Sequence, residues 1–306
     1  MKRYVLLVLM FVPVLLTTTT AYADDGCLDT GYEGLTAHFI NEVPTETLDV
    51  TCDIGIYFDE PGIIDSVTVN GTISGARSKQ YGVYVNGADV DTVNSTFLTE
   101  SGYPHQMIPI MYGNGASGNL KNNSVAGAHR SGIVIRGEDT NVLIDGNEVV
   151  ALGPKFSGWA QNGIQIDNNA NANVMNNLIK GHIWAGGTWA STGLFALYGA
   201  EVNAHSNSLI NNQFSVYISE ANDNKIRKNS IEITVDSTEI NYWGILVNPG
   251  DNNLLSQNSL TSTDAGYVGI YIGSGIKNKL IKNSVSGWAF NIYDGASDTI
   301  WPKPFQ

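Results

Sequence analysis

Apolar residues recur along the chain in a short unit, in which a small residue is followed by an apolar, a variable and an apolar position. The unit returns every 22 to 31 residues. One copy of the unit is degenerate and begins with Pro109 instead of a small residue. The other copies begin with Gly55, Gly82, Gly132, Gly163, Gly193, Ser215, Gly244 and Gly269. Alternation over so few residues, bounded by Gly and Asn, predicts short strands rather than helices.

A second column of residues keeps the same register. In the seven units from Pro109 onward, an Asn stands 14 or 15 residues after the first residue, and an aliphatic residue follows it two places later. These residues are Asn123, Asn147, Asn177, Asn207, Asn229, Asn258 and Asn283. A chain that returns to its start with one apolar set per turn buries its core by stacking turns. The stacked Asn side chains are expected to form a hydrogen-bonded ladder along the axis.

Both patterns predict an all-β fold, a right-handed single-stranded parallel β-helix (solenoid) of about 10 rungs with a cap at each end. The solenoid is expected over residues 55–301 and an N-terminal cap over residues 24–54. The tail, residues 302–306, contains Pro302 and Pro304, which cannot continue a ladder, and is expected to close the other end.

The Gly-Ile-x-Ile and Asn-Ser-Val repeats resemble the pectin-lyase-like superfamily of secreted right-handed β-helix proteins, from Gly55 to Trp301. The resemblance implies the fold rather than one activity, because members include polysaccharide lyases, glycoside hydrolases, sugar epimerases, an accessory protein of nitrous-oxide reductase and adhesins. The pectin hydrolase pattern with Gly-His-Gly is absent, as is the Asp-Pro-His-Asp of alginate epimerases.

The first 23 residues have the pattern of a signal peptide. Lys2 and Arg3 precede an apolar run, and Ala21-Tyr22-Ala23 is a small-x-small cleavage site. The run is shorter than the roughly 20 residues that span a bilayer, so no transmembrane segment is expected after cleavage. Cys27 and Cys52 are the only cysteines and are expected to form a disulfide in an oxidising compartment. The predicted location is secreted or extracytoplasmic, in the periplasm or at the cell surface.

Charge and histidine spacing exclude several classes of partner. A net charge of −13 gives no basic footprint for nucleic acid. The five His residues are scattered one to a segment, which argues against a zinc or copper site. No cofactor is assigned; calcium stays a candidate at Asn222-Asp223-Asn224 and Asp251-Asn252-Asn253, which are more economically interpreted as tight turns.

The variable position of each unit points outward and is rich in aromatic residues. The column is Tyr57, Tyr84, Met111, Val134, Gln165, Phe195, Tyr217, Leu246 and Tyr271. Such a column either contacts sugar rings or packs beneath loops. Substrate contacts are expected from Gln165, Phe195 and Tyr217. Further contacts are expected from Trp159, Trp184 and Trp189 on long loops.

Arg136 and Asp167 occupy equivalent outward places on consecutive turns. They are explained as a surface ion pair, or as a clamp and an acid at a catalytic site. A lyase needs a base and cations, and the candidate catalytic set is Arg136, Asp167, His182 and Lys155. A hydrolase would need two carboxylates, with Asp167 and Glu201 the best pair.

These features favour an exported, monomeric β-helix protein that binds a polysaccharide on its outer face and loops. Whether it also cleaves the glycan, as a polysaccharide lyase or glycoside hydrolase, stays open. The alternative is a noncatalytic structural or adhesive protein of the envelope. An accessory role in metalloenzyme assembly is a third hypothesis, which rests on fold analogy alone.

Overall fold

The computed structural model describes residues 26–71, 79–99, 106–127, 130–154, 160–185, 191–235, 240–263 and 266–301. These ranges contain 32 strands and no helix. Accordingly, no helix that could cross a membrane is found within them. The predicted signal peptide and the tail, residues 302–306, lie outside the described residues.

The strands are short and follow one another closely along the chain. In order they are β1 (Leu28–Asp29), β2 (Thr36–Ile40), β3 (Leu48–Val50), β4 (Ile54–Phe58), β5 (Gly62–Asp65), β6 (Thr68–Gly71), β7 (Lys79–Asn86), β8 (Val90–Val93), β9 (Thr96–Thr99), β10 (Gln106–Gly113), β11 (Ser117–Lys121), β12 (Ser124–Gly127), β13 (Ser131–Arg136), β14 (Asn141–Asp145), β15 (Glu148–Ala151), β16 (Asn162–Asp167), β17 (Asn171–Met175), β18 (Leu178–Lys180), β19 (Thr192–Leu197), β20 (Glu201–His205), β21 (Ser208–Ile210), β22 (Phe214–Ser219), β23 (Lys225–Arg227), β24 (Ser230–Ile233), β25 (Tyr242–Val247), β26 (Leu254–Ser256), β27 (Ser259–Ser262), β28 (Gly266–Ile272), β29 (Ile276–Ile281), β30 (Ser284–Ser286), β31 (Phe290–Asp294) and β32 (Asp298–Ile300).

Three long sheets run along the molecule. Sheet 1 has twelve strands in the order β1-β2-β4-β7-β10-β13-β16-β19-β22-β25-β28-β31. Sheet 2 has ten strands, from β5 to β32, and sheet 3 has ten, from β3 to β30. The chain visits sheets 1, 2 and 3 in turn, so each strand pairs with the equivalent strand one turn away. All these pairs are parallel except β1 with β2. The predicted parallel β-helix is confirmed.

The core is built from columns of like residues. Val83, Ile110, Ile133 and Ile164 are successive register partners in sheet 1, and each is fully buried. Equivalent aliphatic columns enter from sheets 2 and 3 and join them in one cluster. Each turn therefore shields the apolar residues of the next from water, which is how a solenoid with thin turns acquires a core.

The predicted asparagine ladder is confirmed at the corner between sheets 2 and 3. The backbone N–H and Nδ2 of Asn147 donate to Oδ1 of Asn177, at 2.8 and 3.0 Å. Asn177 donates in the same way to Asn207, at 3.0 and 2.9 Å. Its Nδ2 also donates to the Ile144 carbonyl, at 2.9 Å. The ladder satisfies buried backbone groups at a corner where no strand partner exists.

A disulfide-bonded segment closes the N-terminal end. Cys27 and Cys52 form the predicted disulfide. The antiparallel strand β1 pairs with β2, which pairs in parallel with β4. At the other end, all five residues of β31 are exposed, including Ile292, which is 38% exposed at a position where earlier turns are buried. The two described ends of the solenoid therefore differ.

Candidate functional site

The outer face of sheet 1 carries most of the residues that the sequence singled out. Inward and outward side chains do not alternate strictly along these strands. In β22, Phe214 and Tyr217 both reach the surface, while Ser215 and Val216 between them are buried. A small residue is required at this point because backbones of adjacent turns approach closely. A Cβ on Gly163, for example, would lie 2.5 Å from the Gly193 carbonyl oxygen.

The N-terminal third of this face is packed, not open. Tyr57, Tyr84, Met111 and Val134 are each at most 5% exposed. Tyr32, from the N-terminal cap, lies over Tyr84 with ring centroids 5.6 Å apart, and its hydroxyl accepts a hydrogen bond from Tyr84 at 3.2 Å. Burial raises the pKa of Tyr84. This part of the predicted aromatic column is a packing interface for the cap.

A polar cluster occupies the middle of the face. Nε and Nη2 of Arg136 donate to Oδ1 and Oδ2 of Asp167, both at 2.6 Å. Gln165 donates to Oδ2 of Asp167 at 2.5 Å, and its own Oε1 accepts from Asn162 and Ser131 at 3.0 and 3.2 Å. The carboxylate raises the pKa of Arg136. Both oxygens of Asp167 are thus engaged within the protein.

A second arginine lies close to this cluster. Nη1 of Arg130 donates to the Ala160 carbonyl at 2.7 Å. Burial, and then the charge of Arg136, lower its pKa. The guanidinium of Arg130 therefore lies near that of Arg136, whereas the buried carboxylate of Asp167 is bound by Arg136 and Gln165.

The C-terminal half of the face is an open row of aromatic side chains, here named the aromatic strip. It comprises Phe195, Phe214, Tyr217, Trp243, Tyr267, Tyr271, Phe290 and Tyr293. Phe195 stacks on Tyr217 at 5.2 Å, and Tyr271 stacks on Tyr293 at 5.0 Å. Exposure rises toward the C-terminal end, where Phe290 and Tyr293 are about half exposed.

Comparison with protein families identifies the fold. Residues 47–182 and 109–285 match the family described as right handed beta helix region, and the two matches together span most of the chain. The chain belongs to the right-handed β-helix family. A comparison with curated proteins finds no match. Membership of the right-handed β-helix family establishes the architecture, and any activity has to be argued from the site.

The β-helix places the predicted site residues in different environments. Gln165, Asp167 and Arg136 come together, and Phe195 and Tyr217 lie in the strip. Trp184 is buried. The remaining predicted residues, Lys155, Trp159 and Trp189, lie outside the described residues.

His182 is a ladder residue of the β-helix. It is fully buried, and its backbone N–H and Nδ1 approach Oδ1 of Asn212 at 3.1 and 2.9 Å. Asn212 in turn donates to the Ile179 carbonyl at 2.9 Å, so its oxygen is the acceptor and the proton is on Nδ1. Burial lowers the pKa of His182 to about 4. A ligand on the surface of the β-helix would not reach this side chain.

Five of the eight residues of the aromatic strip are absent from the outward column predicted from the sequence, namely Phe214, Trp243, Tyr267, Phe290 and Tyr293. Phe214, Tyr267 and Phe290 are not at the variable position of the unit. Phe214 and Trp243 immediately precede the small residues Ser215 and Gly244. An aromatic residue just before the small residue therefore identifies Phe214 and Trp243 as outward residues, whereas Tyr267 stands two places before Gly269.

The described residues do not form the predicted pair of hydrolase carboxylates or a cluster of metal ligands. Asp167 lies on β16 in sheet 1 and Glu201 on β20 in sheet 2, so they do not face a common substrate. The described residues contain no group of three or more His, Cys, Asp or Glu that could hold a metal ion. Oδ1 of Asn222 accepts from the Asp251 N–H at 2.7 Å, as expected of the turn interpretation.

A shallow polar depression of about 140 Å³ lies on the outer face of sheet 2. It is lined by Asn141, Asn171, Asn173, Glu201 and Asn203, among others. Asn203 donates to Asn173 at 3.0 Å, so part of this polar surface is internally paired. It has no aromatic residue, unlike the strip on sheet 1.

Proposed function

We propose that this protein is an exported β-helix protein that binds a polysaccharide through the aromatic strip, without cleaving it. The observation that carries the proposal is the exposure of Tyr267, Phe290 and Tyr293, at 41%, 51% and 49%. A contiguous exposed apolar patch on a folded protein marks an interaction surface. Tyr and Trp suit a sugar ring because each combines an apolar body with a hydrogen-bonding group.

The strip is held in place before a ligand arrives. Phe214 and Trp243 are stacked at 5.6 Å with an angle of 11° between their planes, and Tyr271 and Tyr293 at 5.0 Å with an angle of 4°. Side chains that are already ordered lose little conformational entropy on binding. Mutual stacking therefore favours the strip as a binding surface.

The state of the described polar groups supports binding without cleavage. Acid and base catalysis needs a group that can exchange a proton with the substrate. Both oxygens of Asp167 are hydrogen bonded inside the protein, and His182 is buried in a ladder. The Arg136 pair is better explained as a structural link between turns.

Export is supported by two independent features. The N-terminal 23 residues have signal-peptide character. The Cys27–Cys52 disulfide closes the cap and suits an oxidising compartment. The proposed location is extracytoplasmic, where polysaccharides are encountered.

Affinity gel electrophoresis of the purified protein against a panel of soluble polysaccharides tests the proposal. We expect at least one glycan to retard the protein, and Trp243→Ala with Tyr271→Ala to abolish the retardation. Tyr198→Ala is the matched control, because Tyr198 is a 51% exposed aromatic residue outside the strip. Retardation should survive in that variant, and no new reducing ends should appear.

Three results would overturn the proposal. Absence of retardation across the panel would favour the structural or adhesive alternative. Equal retardation of the strip variant would place binding elsewhere. New reducing ends would show cleavage.

A further inference from the structure

Sheet 1 carries a single charged residue, Asp294, along the aromatic strip. Strands β19, β22, β25 and β28 contain no Asp, Glu, Lys or Arg, and β31 contains Asp294 alone. In the same turns, sheets 2 and 3 carry Glu201, Lys225 and Glu232. Charged residues make up 15% of the chain. The outer surface at the strip is therefore poorer in charge than the other two sheets of the same turns.

The nearest cation on the described strands of sheet 1 does not supply the positive charge that the strip lacks. Arg136 ends β13, which is separated from β19 by one strand, so it lies about 10 Å from the first strand of the strip. Its guanidinium is already paired with Asp167 through two hydrogen bonds. An anionic group bound on the strip would lose water without gaining a cationic partner from the described strands of sheet 1.

The net charge of the chain also disfavours the binding of an anionic glycan. At −13, it repels a polyanion as it approaches. An uncharged glycan meets neither cost, since its hydroxyl groups and apolar ring faces need only hydrogen bonds and contact area. We propose that the strip selects uncharged polysaccharides and discriminates against anionic ones, an inference that rests on the proposed function.

The geometry also gives the direction of the ligand. Rings of the strip recur on every turn, and turns are about 4.8 Å apart. From β19 to β31 there are five consecutive strands of sheet 1. A glycan lying along the solenoid axis, with one sugar unit to each turn, would use about five units. Affinity should therefore rise with oligosaccharide length up to that size and then level off.

Pairs of glycans with the same backbone and different charge test the selectivity. Hydroxyethyl cellulose is compared with carboxymethyl cellulose, and highly methyl-esterified pectin with polygalacturonate, together with neutral xylan and galactomannan. We expect retardation by at least one neutral glycan, and retardation at least about tenfold weaker for the charged member of a pair. Raising NaCl from about 0.05 to 0.5 M should leave neutral binding unchanged, because no ion pair is involved.

The outcomes separate the two proposals. Equal or tighter binding of the anionic members would overturn the selectivity and leave polysaccharide binding intact. No retardation by any glycan would overturn the proposed function itself. Tyr267→Lys, at a half-exposed position, should weaken neutral binding and strengthen polygalacturonate binding, whereas Tyr267→Phe should do neither. An unchanged Tyr267→Lys protein would contradict ligand contact at the strip.

Discussion

Asp167 is buried, whereas Arg136, its partner on the preceding turn, is partly exposed. The two side chains are 2% and 39% exposed, and they are joined by two hydrogen bonds of 2.6 Å. Removal of one partner is therefore not equivalent to removal of the other. A buried carboxylate left alone is costly, but an exposed guanidinium left alone turns to water.

We expect Arg136→Ala to lower the free energy of unfolding by about 3 kcal/mol, because Asp167 is left as an uncompensated buried charge. Asp167→Asn should cost only about 1 kcal/mol, since the amide keeps the packing and Arg136 is solvated. The double variant should recover most of the loss of Arg136→Ala. Urea unfolding at pH 7 measures all three. Equal losses in the two single variants would contradict the asymmetry.

The burial of His182 predicts a loss of stability in acid. Its pKa is lowered to about 4 in the folded protein, against about 6.5 when unfolded. The unfolded chain therefore binds more protons between these values. The stabilisation is complete above pH 6.5 and is lost as pH falls to 4, by about 3 kcal/mol in all.

His182→Asn is the matched variant, because an Asn at this place can donate to Asn212 as other ladder residues do. It should cost about 1 kcal/mol at pH 7 through lost packing. The stability difference between the natural protein and the variant should then shrink, and reverse in sign, between pH 6.5 and pH 4. A difference that stays constant across this range would show that His182 does not titrate there.

The asparagine ladder predicts a large penalty for one truncated rung. Asn177→Ala removes the acceptor for two donors of Asn147 and the donor to the Ile144 carbonyl. Buried groups left without partners cost about 1–3 kcal/mol each, so we expect a loss of about 3 kcal/mol or more. The exposed neighbour Asn173, truncated to Ala as a control, should cost less than about 0.5 kcal/mol. Thermal unfolding followed by circular dichroism compares the two.

Features that repeat with the turn could be predicted from the sequence. The Asn ladder and the pairing of Arg136 with Asp167 both follow from equivalent positions on adjacent turns. Parallel register aligns such positions automatically, so the pattern alone determines the neighbours.

Features that depend on a contact between distant segments could not be predicted. Tyr84 is buried because Tyr32, 52 residues earlier, folds over it, and nothing in the repeat reveals the path of the cap. His182 precedes β19 in an irregular connection, where position in the unit does not tell whether a side chain points in or out. The hydrogen bond between His182 and Asn212 likewise could not be predicted from the repeat.

The two described ends of the solenoid differ in how firmly they are held. Each turn is held only by its neighbours, so a turn with one neighbour opens first. The disulfide and β1 secure the N-terminal turn, while the residues of β31 are exposed. Phe290 and Tyr293 thus belong to a turn that pairs with only one other described turn in sheet 1. A glycan bound across β25, β28 and β31 would tie that turn to firmer ones, and slow its opening in proportion to the length bound.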